Sequence, residues 1–190
     1  MTQQKKEIST LLAESFRKLA AEKPIEKITI KEITDGAGVI RVTFYNHFQD
    51  KYELLEWICR TEIVEPVRTL LFNDMQEEAM TFLFQCIRKN HVFYDRAVRV
   101  EGQNSFESIV EKLFAQVLTE YLEKKGMQIH HKNEWLTHER AGQMYAHLLS
   151  YILVVWIRSG MQVEPGEMVE IYHFVSSHSL LDLTRERPVS

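Results

Sequence analysis

Apolar residues recur along this chain at a helical period almost throughout. In residues 4–22, Ile8, Leu11, Leu12, Ser15, Phe16 and Leu19 form an inward stripe, which predicts an amphipathic helix ended by Lys23-Pro24. Ile30 and Ile33 share one face of a much shorter helix, which Thr29 and Glu32 open as a capping box. Ala37-Gly38-Val39 breaks that helix: Gly38 tolerates the positive φ of a sharp turn, and Val39 anchors the turn inward. A second short helix follows, with Phe44 and Phe48 on its buried side. Asp50 caps a fourth helix that runs toward Glu65 with Leu54, Leu55 and Ile58 inward, and Pro66 predicts a bend or restart. Asn73-Asp74 predicts the cap of a helix from Met75 to Lys89, and His91–Val100 reads as a short one. Ser105 opens a helix through Lys125, closed by Gly126, and residues 127–134 read as a polar loop. Thr137–Ser159, stopped by Gly160, and a last helix from Pro165 to about Leu183 complete the set. No period-two pattern marks a strand. The pattern predicts an all-α chain of about nine helices, with a three-helix, helix-turn-helix head over residues 1–50 and a helical-bundle body over 51–190.

Two helical faces are left without a use by this core. Arg41, Val42, Tyr45 and Asn46 form a stripe separate from Phe44 and Phe48. A phenol shown to solvent beside an arginine and an amide predicts something that docks there. Two short helices with such a face on the second have the layout of a helix-turn-helix reader, so double-stranded DNA is the expected partner. The second face belongs to Ala146–Ile157, which is hydrophobic nearly all round and must be covered on more than one side. It is either the central helix of a monomer or half of an interface between two copies. The helix-turn-helix favours a homodimer through residues 137–183, with Leu153 among its contacts, because two-fold readers bind palindromes as dimers.

The run Gly38-Val39-Ile40-Arg41-Val42-Thr43-Phe44-Tyr45-Asn46-His47-Phe48-Gln49-Asp50-Lys51 resembles the DNA-binding signature of TetR-family transcriptional regulators. The likeness covers about the first third of the chain; the spacing, Tyr45, Phe48 and Lys51 agree together. Ile40 stands where the family usually has Ser or another small polar cap, and Val42 where a small or polar residue is common. These two departures leave open which bases are read. The resemblance implies a ligand-responsive repressor that pairs through its last two long helices and binds a palindromic operator. Its mechanism would be a change in the separation of the two recognition helices. The body is more loosely similar, through Phe48–Trp57, Asn90–Tyr94 and Trp156–Met161, to a subgroup common in Gram-positive bacteria that includes regulators of dihydroxyacetone-kinase operons. Two other readings compete: a helical protein-interaction module, and an activator without a small-molecule effector.

The expected DNA contacts are Thr29, Arg41, Val42, Thr43, Tyr45, Asn46, His47 and Lys51. Arg41 can fork onto guanine or stand as a solvated charge. Tyr45 offers a ring to a base or sugar and a hydroxyl to phosphate, or packs on the first helix. His47 can donate to phosphate or serve in packing. Lys51 and Thr29 each sit at a helix start that suits an anion, and Thr43 adds a hydroxyl. Net charge is −4, but residues 1–60 hold ten Lys/Arg against nine Asp/Glu, so the acidic excess lies in the body.

The remaining chemistry is sparse. Cys59 and Cys86 lie in apolar helical patterns and read as free thiols of a reducing cytoplasm. No apolar run reaches membrane-spanning length, and the polar, charged start is no signal peptide. His130, His131, Glu134 and His138 lack the i, i+4 histidine pair of a metal helix, and no nucleophile–base pair suggests an enzyme, so no metal or cofactor is expected. For an effector pocket, His147, Tyr151 and Phe93 are the candidates among the body's polar and aromatic residues.

Overall fold

The computed structural model describes residues 3–126 and 134–179, and every element in them is helical. Helix α1 (Gln3–Glu22) buries Leu12, Ala13, Phe16 and Ala20. Leu11 is instead 46% exposed. Leu11 points about 100° from Leu12 on the side away from Phe16, Ala20 and Ala13, so it falls outside the buried arc that those residues share. Ser9 takes a place on that arc and is fully buried.

A short 3-10 turn (Ile25–Lys27) buries Ile25 and leads, through the buried Ile28, into α2 (Ile30–Ala37). The capping box forms as the sequence predicts. The Thr29 hydroxyl accepts the Glu32 amide at 3.3 Å, and the Glu32 carboxylate accepts the Thr29 amide at 2.9 Å. Gly38 closes α2 at φ 68°, and its own amide bonds back onto the last turn. Helix α3 (Arg41–Tyr45) is only five residues long. Phe48 lies beyond its end, yet it is buried beside Phe44 at 5.8 Å between ring centres.

Asp50 caps α4 (Lys51–Cys59), accepting the Tyr52 and Glu53 amides at 2.8 and 2.9 Å. Pro66 does not end the helix. Helix α4 passes through a π turn (Arg60–Val64) into α5 (Glu65–Phe72) as one rod. The proline ring lacks an N–H and crowds the carbonyl four residues back, so a wider turn just upstream relieves both problems. The Glu62 carbonyl, which an amide at position 66 would take in a regular helix, accepts Cys86 Sγ at 3.5 Å.

The body follows as α6 (Gln76–Lys89), α7 (His91–Ala97), α8 (Phe106–Lys124), α9 (His138–Arg158) and α10 (Pro165–Ser177). With the rod counted once, the described residues hold nine helices. The expected cap at Asn73-Asp74 is not used: Met75 holds the cap position without a side-chain bond, Asp74 turns left-handed at φ 62°, and its carboxylate pairs with Lys125. Helix α7 stops short of Val100, although Val98 and Val100 remain buried in the turn after it. The last helix ends at Ser177, where His178 turns extended (φ −112°, ψ 139°), short of the expected end near Leu183; the stretch 127–133, with His130 and His131, lies outside the described residues.

Helices α8 and α9 pack along most of their length around a row of small residues, Gly142, Ala146 and Ser150. A Cβ on Gly142 would stand 2.5 Å from Thr119 Oγ1 and 2.9 Å from the Thr119 backbone nitrogen. The apolar stretch of α9 divides between two environments. Leu149, Leu153, Val154, Trp156 and Ile157 face the core, while Tyr151 and Val155 are exposed. Trp156 packs edge-on against Phe84 at 5.3 Å and donates its Nε1–H to the Val163 carbonyl at 2.9 Å. Head meets body where Phe16 of α1 packs edge-on against Phe93 of α7 at 5.9 Å. Arg17 lies 5.6 Å over the same ring and pairs with Glu62 of the π turn.

Two tests follow from this packing. Gly142→Ala must displace backbone, which predicts a loss of about 1–3 kcal/mol in urea unfolding at fixed protomer concentration. Gly166→Ala in α10 meets nothing within 4 Å and should match or exceed wild type. Equal losses at both positions would refute the close α8–α9 approach. In the capping box, the Lys23 ammonium, then the Thr29 amide and hydroxyl, hold the Glu32 carboxyl down to about 2 from its ordinary 4.5. Because the folded value lies below the unfolded one, this contribution is complete above pH 4.5 and lost as pH falls toward 2. Stability curves of wild type and Glu32→Gln against pH should therefore converge over that window; parallel curves would show that the carboxylate is not coupled to folding.

Candidate nucleic-acid interface

Helix α3 begins at Ile40, which has extended backbone (φ −86°, ψ 157°) and no side chain able to cap the free amides. A missing cap costs about 1 kcal/mol. Full burial of an aromatic side chain returns roughly 1.5–3 kcal/mol, and Phe44 and Phe48 are 0% and 4% exposed. Trp57 of α4 packs edge-on against Phe48 at 6.0 Å and backs the pair. The inner side of α3 is thus fixed by aromatic packing, and its outer side carries no part of the fold.

That outer side holds the stripe expected from the sequence. Arg41, Val42, Tyr45 and Asn46 are all exposed. Arg41 Nη2 donates to Tyr45 Oη at a long 3.4 Å, and the Tyr45 ring leans edge-on against Phe44 at 5.7 Å. The phenol therefore braces the guanidinium while its own root is held by the core. Thr43 is half-buried on the flank of the same helix. Among the described residues, neither the Thr43 hydroxyl nor the Asn46 amide has a side-chain hydrogen bond within the chain.

The other expected DNA contacts are engaged inside the protein. The Thr29 hydroxyl donates its one proton to Glu32 Oε2 at 2.8 Å, and an ionised carboxylate lies against it. An anion would have to displace that bond. Lys51 turns toward the chain preceding α2, donating to the Glu26 and Ile28 carbonyls at 2.6 and 2.9 Å. Its half-buried ammonium has its pKa lowered chiefly by burial. Two of its three donors are thereby used in tying the 3-10 turn to the start of α4, which leaves one for a phosphate.

His47 is the clearest case of a role that depends on structure. Its Nδ1 lies 3.0 Å from Ser9 Oγ, and that hydroxyl donates to the Lys5 carbonyl at 3.1 Å. With the hydroxyl proton spent, the ring must supply Nδ1–H, leaving Nε2 as an acceptor in the neutral form. Burial, and then the Lys5 charge, lower its pKa, which favours that neutral form. A neutral His47 in this tautomer positions α3 against α1 and has no proton to give a phosphate. Sequence reasoning missed Ser9; the signal was present, since Ser9 is the one hydroxyl in register with Leu12, Phe16 and Ala20.

The three effector candidates do not meet. His147 is exposed and pairs with Glu111 at 3.2 Å on the surface of the α8–α9 pair. Tyr151 stands on the outer face of α9, and Phe93 is buried at the head–body junction. The reason is the helical period: 147 and 151 share an outward face that the apolar sequence around them disguises. A cleft of about 470 Å³ does open between α4 and α8, where Trp57 and Tyr52 stand beside Glu56, Arg60 and Lys112. Glu56 bridges the two cations there, at 2.8 Å to Arg60 and 3.3 Å to Lys112. Both cysteines are free, and burial pushes the Cys59 thiol up to about 12 and raises that of the half-buried Cys86, which disfavours the reactive thiolate in each.

Comparison with known proteins bears on the family and the fold. Residues 14–58 match the model of the bacterial regulatory proteins of the tetR family, and residues 74–177 match that of a transcriptional regulator C-terminal region. The chain is 30% identical over 99 residues to the HTH-type dhaKLM operon transcriptional activator DhaS of Lactococcus lactis subsp. lactis (strain IL1403). That alignment covers 48% of this chain and spans half (50%) of the relative's length. Among solved structures, the fatty acid degradation regulator FadR of Bacillus halodurans superposes with a TM-score of 0.62 at 17% identity, over 91% of this chain and 96% of that one. FadR of Thermus thermophilus, a TetR-family transcriptional repressor solved with lauroyl-CoA, gives 0.59 at 18% identity over 96% and 98%. Identities this low carry the fold alone. Among the described residues, no helix is long and apolar enough to cross a membrane. The family matches cover most of the chain, head and body together, and the chain belongs to the TetR family of bacterial transcriptional regulators.

Proposed function

We propose that this regulator is a homodimeric, ligand-responsive repressor of a palindromic operator, with residues 1–50 reading DNA and residues 51–190 pairing and sensing. The observation that carries the reading is the outer face of α3, where Arg41, Val42, Tyr45 and Asn46 stand exposed while Phe44 fixes the inner side. Thr43 flanks that face and the single free donor of Lys51 supplies the phosphate rim, while His47, bonded to Ser9, holds α3 at the angle from which it meets the backbone. Thr29 serves in this reading as the cap that aims α2. A gel shift with DNA flanking the protein's own gene tests it, and no retardation at low salt would overturn it.

The dimer rests on apolar rows that the protomer leaves uncovered: Met144, Tyr145, Tyr151 and Val155 on α9, and Ile171, Phe174 and Val175 on α10. An isologous pair buries both rows at once and sets two recognition helices at a fixed spacing, one helical turn of DNA or a multiple apart. A ligand with higher affinity for the wrongly spaced dimer would shift the population off DNA. The α4–α8 cleft supports such sensing, because it touches the helix that leads from the head. A second reading has its own support: the relative DhaS is named a transcriptional activator. A promoter fusion measured with and without the gene separates the two by the sign of the change.

Two sets of variants test the reading. Val155→Glu should yield a folded, helical monomer in sedimentation velocity, whereas Leu153→Glu, which charges a fully buried core position, should unfold the chain. A Val155→Glu protein that remained dimeric would sink this interface. On DNA, Arg41→Ala should relax sequence preference by roughly 1–3 kcal/mol against the preferred site. Lys51→Ala should weaken all sequences alike and flatten the salt dependence by roughly one unit of log–log slope for each phosphate left without its lysine. It should also lower stability by about 1–2 kcal/mol, through the two backbone carbonyls it releases. If Lys51→Ala changed the preference and Arg41→Ala did not, α3 would not be the reading helix.

A further inference from the structure

We infer that Ile40 and Val42 read thymine methyl groups beside the base pair met by Arg41, so that the half-site is defined as much by C5-methyls as by a guanine. This rests on the proposed reading of α3 as the recognition helix and names the chemistry it selects.

The observation is that the two aliphatic side chains are the most exposed large hydrophobic residues among the described residues. Ile40 is 70% exposed and Val42 63%. Neither contributes to the core, and Ile40 occupies a cap position where a hydroxyl or amide would stabilise the helix. Their branched carbons are therefore a cost to the free protein, both in exposed apolar surface and in a forgone cap. Both flank Arg41 at the N-terminal end of α3, the end from which helix-turn-helix readers reach base edges.

The chemistry of the major groove narrows what such side chains can meet. Its base edges are donors and acceptors with one aliphatic exception, the C5-methyl of thymine. An isoleucine or valine gains nothing from guanine O6/N7 or from the cytosine amino group and would leave it dehydrated. Against a thymine methyl, each buries apolar surface on both partners. Cytosine lacks that methyl, so the aliphatic pair discriminates T·A from C·G without a hydrogen bond. Arg41, braced by Tyr45 at 3.4 Å, adds the polar half of the readout. Contact with phosphate alone would not favour these side chains, because the backbone offers them charge and water.

The experiment uses the full chain. Duplexes are selected from a random pool, and each thymine of the winning half-site is then replaced by deoxyuridine, which removes the methyl and leaves pairing intact. Wild type should lose about fourfold in affinity per critical methyl in each half-site, the worth of one buried methyl-sized group. Ile40→Ser should abolish the penalty at one thymine and Val42→Ala at another, while both keep the wild-type response to changes at the Arg41-dependent guanine. Ile40→Ser supplies the cap that α3 lacks, so folding is not at risk in that variant. In the opposite direction, 5-methylcytosine at those positions should recover part of the lost affinity. A wild-type protein indifferent to deoxyuridine would overturn the inference while leaving DNA binding in place. So would a penalty that persists unchanged in both variants, because the methyls would then act through DNA shape. If no duplex is enriched at all, the reading of α3 falls with it. An Ile40→Ser protein that loses a tendency to self-associate, with no change in methyl response, would assign the aliphatic pair to protein contact and reject the proposal.

Discussion

A helix of five residues cannot hold itself together in water. The first turn of any helix fixes several backbone angles for one hydrogen bond, and α3 has little more than that turn and no cap. What holds it is the burial of Phe44 and Phe48 against the head, backed by Trp57 from α4. The rest of the head follows from that anchor. Once the inner side is fixed by two rings, the His47–Ser9 bond ties α3 to α1, and the Lys51–carbonyl bonds tie the turn before α2 to α4. Four short elements are thereby locked by side chains that meet across the head.

The junction with the body is held differently. Phe16 against Phe93 supplies an apolar contact, and Arg17 with Glu62 supplies an ion pair beside it. Next to them, among the described residues, the Tyr94 hydroxyl and Arg17 Nε are buried with no protein hydrogen-bond partner. An unpaired buried hydroxyl costs roughly 1–3 kcal/mol, which offsets part of what the Phe16–Phe93 contact contributes. The regulatory reading needs a junction of that kind, since two arrangements of head and body must be close in energy for a ligand to choose between them.

Much of this was legible in the sequence, and the parts that were not share a cause. Thr29, Glu32 and Gly38 speak through local backbone chemistry, which depends on residues three or four apart. Phe44 and Phe48 speak through hydrophobic period. The fate of Thr29, His47 and Lys51 depends on partners far away or already spoken for: Ser9 lies 38 residues from His47, and the Glu26 carbonyl 25 from Lys51. A side chain able to meet phosphate is equally able to meet a carbonyl, and only the fold decides. The same holds for the long apolar stretch of α9. Sequence marks it as covered all round, but it cannot tell Leu153, facing its own core, from Val155, facing away. Leu11 and Leu12 show the ambiguity at its smallest, one step along a helix.

The rod from Lys51 to Phe72 has a geometric consequence. At 1.5 Å per residue it is roughly 33 Å long, with one end beside the head and the other in the body. A lever of that length turns a tilt of about 6° at the body end into a movement of about 3 Å at the other, close to the spacing between neighbouring base pairs. On the proposed reading, the body would have little to do mechanically: a displacement no larger than a side-chain repacking, carried along this arm, would move the head by one step of the DNA ladder.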